Sequence, residues 1–223
     1  MKISTSAYYI KWHSIQQNVY VAGSCGLQFT DNLGEAEIKG FDVQAEAVLG
    51  GGFSVDASLG YTSARYSADS SKANLAHAGD AISGEAAINY SPGTTPPWNA
   101  AVGAQYNFTL NEHDAFVRLD WEFASRNPWL AAVQDPNSSQ YNANAYTLPS
   151  TNFASLRAGV TLGGWQVSAF VDNLFDSRTI TNYAIVQVDA NNPNFDPTRP
   201  SSVQQNQFSF RPRTIGISAS FRM

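Results

Sequence analysis

Three histidines, one cysteine and 18 acidic side chains are the groups in this 223-residue chain that could carry chemistry, and their spacing assembles little of it. His13, His77 and His113 are far apart, at a strand end, in a loop and in a tight turn. They lack the His-Glu-x-x-His spacing of a zinc site, and no cysteine pair accompanies them, so they read as separate polar surface groups. Ser14 follows His13, but neighbours on a strand point to opposite faces and cannot act as nucleophile and base. Asp189, Asn191, Asn194 and Asp196 offer closely spaced oxygens for calcium. The loop departs from the EF-hand pattern, with Asn194 where glycine belongs and Pro200 where the bidentate glutamate belongs. It reads as a solvated, turn-rich segment. Cys25, between Ser24 and Gly26, has no second cysteine to bridge to and supports neither a redox pair nor a metal site. No cofactor is implied. Asn137-Ser138-Ser139 and Asn107-Phe108-Thr109 match the glycosylation acceptor pattern, a match frequent by chance.

Binding chemistry is better represented than catalysis. Trp129, Tyr141, Tyr146 and Tyr183 lie in long Asn-, Gln- and Asp-rich connections, where aromatic faces beside hydrogen-bonding groups suit sugars or aromatic chelates. These four are the candidate contacts for a small-molecule or oligosaccharide ligand. The formal net charge of -5 and a pI near 5.0, with no cluster of Lys and Arg, exclude nucleic acid as a partner.

The elements that would position such residues are strands of period two. Trp98, Ala100, Val102, Ala104, Tyr106, Phe108 and Leu110 share one face, and Asn99, Ala101, Gly103, Gln105, Asn107 and Thr109 share the other. The next segment sets Ala115, Val117, Leu119, Trp121 and Phe123 against Phe116, Arg118, Asp120 and Glu122. Phe53 to Tyr61 and Ile215 to Phe221 alternate in the same way, whereas a helix would scramble these sets. Strands are expected at 3–13, 35–49, 52–67, 96–110, 114–126, 150–162, 165–176 and 207–222. Their connections come in two kinds that alternate. Gly50-Gly51-Gly52, Asn111-Glu112-His113-Asp114 and Gly163-Gly164 are tight hairpins, while 14–34, 68–95, 127–149 and 177–206 are long.

This asymmetry places every tight turn on one rim and every long loop on the other, as in an antiparallel up-and-down barrel that crosses an outer membrane. No run of about 18 apolar residues exists, which excludes a transmembrane helix. A barrel hides its apolarity by alternation, in keeping with 14% charged residues, 13% aromatics and a mean hydropathy of -0.26. Trp98, Trp121, Tyr61 and Phe123 fall toward the long-loop ends, and Phe53, Phe108, Trp165 and Phe221 toward the tight turns, as two interfacial girdles would. Ordinary strand propensity also places aromatics in strands. Arg118, Asp120, Glu122, Arg157, Asp56, Asp42 and Glu46 are expected to face the interior, as a satisfied polar network, as simply hydrated groups, as the lining of a solute path or as a docking face for a plug domain.

Three segments carry a family resemblance. Gly34-Glu35-Ala36-Glu37-Ile38-Lys39-Gly40-Phe41-Asp42-Val43, Val171-Asp172-Asn173-Leu174-Phe175-Asp176 and Pro212-Arg213-Thr214-Ile215-Gly216-Ile217 with its closing strand to Phe221 resemble strands of TonB-dependent outer-membrane receptors, in matching order. The resemblance implies a bacterial outer-membrane receptor that binds a scarce solute of the siderophore, vitamin or oligosaccharide class and imports it with TonB-coupled energy. It further implies that residues 1–223 form the C-terminal portion of the barrel. About 22 strands are expected of plugged transporters and about eight are found here. The plug domain and the segment that contacts the TonB complex would lie in a missing N-terminal part. Two features depart from the expected pattern. Met1 to Ser6 carries no secretory signal, so the signal has been removed or Met1 is not the biological start, and Phe221 is followed by Arg222 and Met223 rather than ending the chain. The alternatives are a complete eight-stranded outer-membrane barrel with a structural or adhesive role and, less in keeping with the residues, an outer-membrane hydrolase.

Overall fold

In the computed structural model, the structure describes residues 1–20, 28–32, 34–68, 81–82, 90–93, 95–136, 141–187 and 203–221. Cys25, His77, the Asn137 acceptor motif, the Asp189 to Asp196 loop, Arg222 and Met223 lie outside them. In chain order the strands are β1 (Lys2–His13), β2 (Gln16–Tyr20), β3 (Gln28–Asn32), β4 (Glu35–Gly50), β5 (Phe53–Ala68), β6 (Ala81–Ile82) and β7 (Trp98–Leu110). They continue with β8 (His113–Ala124), β9 (Thr151–Leu162), β10 (Trp165–Asp172), β11 (Ile180–Gln187), β12 (Val203–Ser209) and β13 (Thr214–Phe221). The described helical structure is one 3-10 turn at Ala132–Gln134, and no described helix is long and apolar enough to cross a membrane.

Eight strands form one antiparallel sheet in the order β1-β4-β5-β7-β8-β9-β10-β13. Among the described residues β1 and β13 do not pair with each other, so the sheet is open at both edges. The tight connections follow from backbone chemistry. Gly50, Gly51 and Gly52 all take positive φ, which glycine adopts without steric cost, and Asn111 and Glu112 turn β7 into β8 with φ of 47° and 66°.

Register fixes what each face carries. Reading across the sheet, Ala47, Val55, Ala104, Leu119, Leu156, Val171 and Ile215 form one continuous apolar row. On the opposite face Glu46, Asp56, Gly103, Asp120 and Ser155 align. The apolar face stays open, with Leu119 42% and Ile217 78% exposed. Aromatic contacts bound it at both ends. Phe41, Tyr61 and Trp98 cluster toward the long loops, with centroids 4.6 to 5.9 Å apart, beside the stacked Trp121 and Phe123. Phe53, Tyr106 and Phe108 stack toward the tight turns, and Trp165 meets Phe221 at 5.0 Å. About 33 Å of strand separates Trp98 from Phe108 at roughly 3.3 Å per residue. At the tilt of about 40° usual in membrane barrels that length would span about 25 Å, the height of such a barrel's lipid-facing band.

The long connections are more structured than the sequence suggests. β2 pairs with β3 and β6, and β11 with β12, so 14–34 and 177–206 contain sheet where loop is expected. The strand expected over 207–222 is two strands, interrupted at Phe210 to Arg213, where Pro212 cannot donate to a ladder. The strand expected to run to 176 stops at Asp172 because Asn173 turns the backbone to a φ of 54°. A small core of Ile15, Ala36 and Tyr66, with Tyr90 against it, forms at the long-loop end of the sheet.

Candidate functional site

The long-loop rim holds a cavity of about 220 Å³ between the β8–β9 connection, the segment before β7, and residues leading into β11 and out of β12. Its walls are chiefly apolar, with Pro96, Trp129, Tyr146, Leu148, Ile180 and Phe210 contributing. Each wall is fixed by a specific polar staple. Asn127, just beyond β8 and 8% exposed, donates through Nδ2 to Ser91 Oγ (3.1 Å) and Gly93 O (3.3 Å). Its Oδ1 accepts from the Trp129 amide at 3.0 Å, which binds the loop carrying Trp129 to the strand-entry segment before β7. Gln134 accepts from the Ala131 amide (3.0 Å) and donates to Thr147 Oγ1 (3.2 Å), closing the β8–β9 connection on itself. The Tyr90 hydroxyl donates to the Asp135 carboxylate. Gln205 of β12 donates to Asn144 O at 3.3 Å, tying the β11–β12 hairpin to the same connection.

The four aromatic candidates divide. Trp129 and Tyr146 both line the cavity, and Tyr183 stacks on Tyr146 at 4.6 Å with planes 18° apart. Tyr141 does not line it and is 45% exposed. The Arg65 guanidinium lies 4.3 Å from the centroid of the Trp129 ring, a cation–π contact that holds the indole in place. The Tyr146 hydroxyl is buried and has no hydrogen-bond partner among the described residues. Leu148, Phe210, Asn127 and Gln134 complete the site without having stood out in the sequence. The Asn127 and Gln134 staples depend on contacts across 36 and 13 residues that spacing does not reveal.

Below the cavity the polar face is acidic. Asp42, Glu46, Asp56, Asp114, Asp120, Glu122 and Asp172 share it with Lys2, Arg118 and Arg157, as register requires. Arg118 contacts Asp120 at 2.6 Å and Asp56 at 3.0 Å, and Arg157 lies over the Phe170 ring at 5.4 Å. Arg118, Asp56 and Asp120 thus form one paired network on this face. Among the described residues no group of three His, Cys, Asp or Glu could hold a metal ion, and His13 instead meets Glu35 at 3.1 Å.

The Asn173 turn organises the end of β10. Asn173 is 1% exposed, and its Nδ2 donates to Ser177 O and Arg211 O, both at 2.9 Å, while Oδ1 accepts from the Ser177 amide at 2.7 Å. Asp176 then accepts from the Arg213 amide at 3.2 Å. The motif therefore joins β10 to the lead-in of β13 and holds the rim beside Phe210.

Two solved structures share this architecture over nearly the whole chain. The copper transporter OprC is 19% identical with a TM-score of 0.59, covering 98% of this chain and 28% of its own. The ferric yersiniabactin uptake receptor FyuA from Yersinia pestis is 16% identical with a TM-score of 0.58, covering 97% and 27% respectively. The chain thus spans under a third of the length of either protein, and at these identities the likeness is one of fold. No curated protein sequence matches it. A family profile described as "TonB dependent receptor-like, beta-barrel" matches residues 1–174. The chain, with its open antiparallel wall and stapled long-loop rim, belongs to the TonB-dependent receptor β-barrel family.

Proposed function

We propose that this chain is the C-terminal part of the barrel wall of a bacterial outer-membrane receptor, one that captures a scarce extracellular solute and imports it with energy delivered through the TonB complex. The observation that carries the reading is the position of the aromatic cavity. It opens among the long connections, beyond one girdle of a wall whose other face is belted for lipid. Extracellular loops meet solute first, and Trp129 and Tyr146 give it apolar faces. The solute class is a siderophore, vitamin or oligosaccharide with an aromatic or apolar face. The plug and the segment touching the TonB complex belong to the rest of the receptor. The open edges support a larger barrel over a complete eight-stranded one, because unpaired backbone groups in lipid cost several kcal/mol each.

The test is uptake by the full-length receptor in an outer membrane. A panel of labelled siderophores, vitamins and oligosaccharides should yield one accumulated class, and accumulation should stop when the TonB complex is deleted. Trp129→Ala with Tyr146→Ala should weaken binding of that solute about tenfold or more while leaving the receptor assembled. Uptake that persists without the TonB complex would refute the reading.

A further inference from the structure

We propose that the lipid-facing side of β4 and β5, just above the Phe41–Tyr61–Trp98 girdle, is a binding site for the phosphate of an outer-leaflet lipid. The inference rests on the membrane reading above. The register places Lys39 opposite Ser63 and Glu37 opposite Arg65, on the same face as Phe41 and Tyr61. Glu37, Lys39, Tyr61, Ser63 and Arg65, with Tyr66 and Ser67 of β5, line an open cleft of about 510 Å³. Ser63, at 3% exposure, is buried within it.

Charge favours an anion. Neither Lys39 nor Arg65 has an ion pair among the described residues. Arg65 is held by the Trp129 ring, and its buried Nε has no hydrogen-bond partner. The one carboxylate in the cleft, Glu37, is already engaged by the Tyr9 hydroxyl at 2.9 Å and Lys11 at 4.0 Å. Two cations without an ion pair among the described residues, beside the Tyr61 and Ser63 hydroxyls, match a phosphate.

Height favours a headgroup over a free ion. Each same-face step along a strand is about 6.6 Å, or about 5 Å along the membrane normal at the tilt of such barrels. Lys39 and Ser63 therefore sit about 5 Å above the girdle, and Arg65 about 10 Å. The headgroup layer extends about 5–8 Å beyond the hydrocarbon on each side. Tyr61 belongs both to the cleft and to the girdle, so a phosphate seated on Lys39 would let acyl chains descend over Phe41, Leu59 and Val43. Long basic side chains reach such a layer while burying their stems.

The probe is a phosphorylated glycolipid of the outer leaflet, counted per receptor by native mass spectrometry after mild detergent extraction of the full-length protein. Lys39→Gln with Arg65→Gln should lower occupancy at least fivefold, whereas Arg178→Gln, an exposed cation outside the cleft, should leave it unchanged. Wild-type receptor should also prefer phosphorylated over enzymatically dephosphorylated glycolipid by a similar factor in mixed micelles, a measurement that needs no variant. Equal occupancy of the two lipids, or an equal loss in the Arg178 variant, overturns the proposal. If free inorganic phosphate displaces the lipid stoichiometrically at millimolar concentration, the site is an anion site and not a headgroup site, which also overturns it. Failure of the membrane reading is distinguishable, because the receptor would then fractionate away from the outer membrane altogether.

Discussion

Arg118 on β8 grips Asp56 on β5 across the intervening strand, with Nη1 and Nη2 at 3.0 and 3.2 Å from the two carboxylate oxygens. The fork passes directly over Gly103 of β7, where an added Cβ would lie 2.3 Å from Nη2. The same device recurs across the polar face, with the Phe116 ring over Gly159, Phe170 over Gly216 and Tyr8 over Gly40. Glycine in these strands marks close approach, and a flat side chain from the neighbouring strand fills the space it leaves.

Two glycine substitutions should therefore differ sharply. At Gly103 the obstructing atoms are the ends of flexible side chains, and the ion pair is half in water. Losing it costs about 0.5–1 kcal/mol, and alanine recovers about as much in backbone entropy, so Gly103→Ala should be nearly neutral. At Gly40 the obstruction is the Tyr61 backbone carbonyl, 2.1 Å from the added Cβ, which cannot rotate away. Gly40→Ala should cost about 1–3 kcal/mol or more. Urea titration of the receptor in detergent, read by tryptophan fluorescence, ranks the two. The idea fails if Gly103→Ala is the worse variant.

Asn173 is a sensitive point of the rim because its buried side chain holds three backbone groups. Asn173→Ala orphans the Ser177 amide and two carbonyls and forces alanine into a φ of 54°. The combined cost is about 2–4 kcal/mol. Asn173→Gly removes the same bonds but relieves the backbone, so it should recover about 1 kcal/mol. Limited proteolysis between Phe210 and Arg213 reports the loosening, and equal resistance in all three proteins would count against the staple.

Burying charge distinguishes the faces. Leu119 lies midway between the girdles on the apolar row, so Leu119→Arg should cost about 2–4 kcal/mol in the membrane. Ser58→Arg, on the polar face between the Asp56 and Gly60 positions, should be tolerated within about 1 kcal/mol. Outer-membrane yield and heat-modifiable migration compare them, and similar defects in both would remove the basis for assigning the lipid side.

Acid should release the Asp176 contact. The Arg213 amide and the Arg178 guanidinium hold its carboxyl below its ordinary value of 3.8. A carboxylate depressed in the folded state stabilises fully above its unfolded value and loses that contribution as pH falls through the folded one. Wild type should therefore exceed Asp176→Asn in thermal midpoint at pH 7, and the gap should close only below pH 3.8. A gap that closes near neutrality would point to another group.

The wall was legible because its constraint is local. Alternation in β7 and β8 and the glycines at 50–52 state their conformation residue by residue, and the eight strands of the sheet follow. The rim was less so. Val203 to Ser209 is mostly polar and alternates weakly, so β12 exists through its pairing with β11 rather than through its own pattern. At the cavity, Trp129 and Tyr146 stood out as loop aromatics, while Tyr141 looked identical in sequence and lies elsewhere. What separates them is the set of staples from Asn127 and Gln134, which are tertiary contacts.

Flat rings and a flat guanidinium over glycines also set the mechanical relief of the interior. A side chain lying against the sheet projects one van der Waals contact, about 3.5–4 Å, instead of standing upright. The polar face is therefore low in relief where Arg118, Phe116, Phe170 and Tyr8 cross glycines, and what stands out from it is the set of side chains between those crossings.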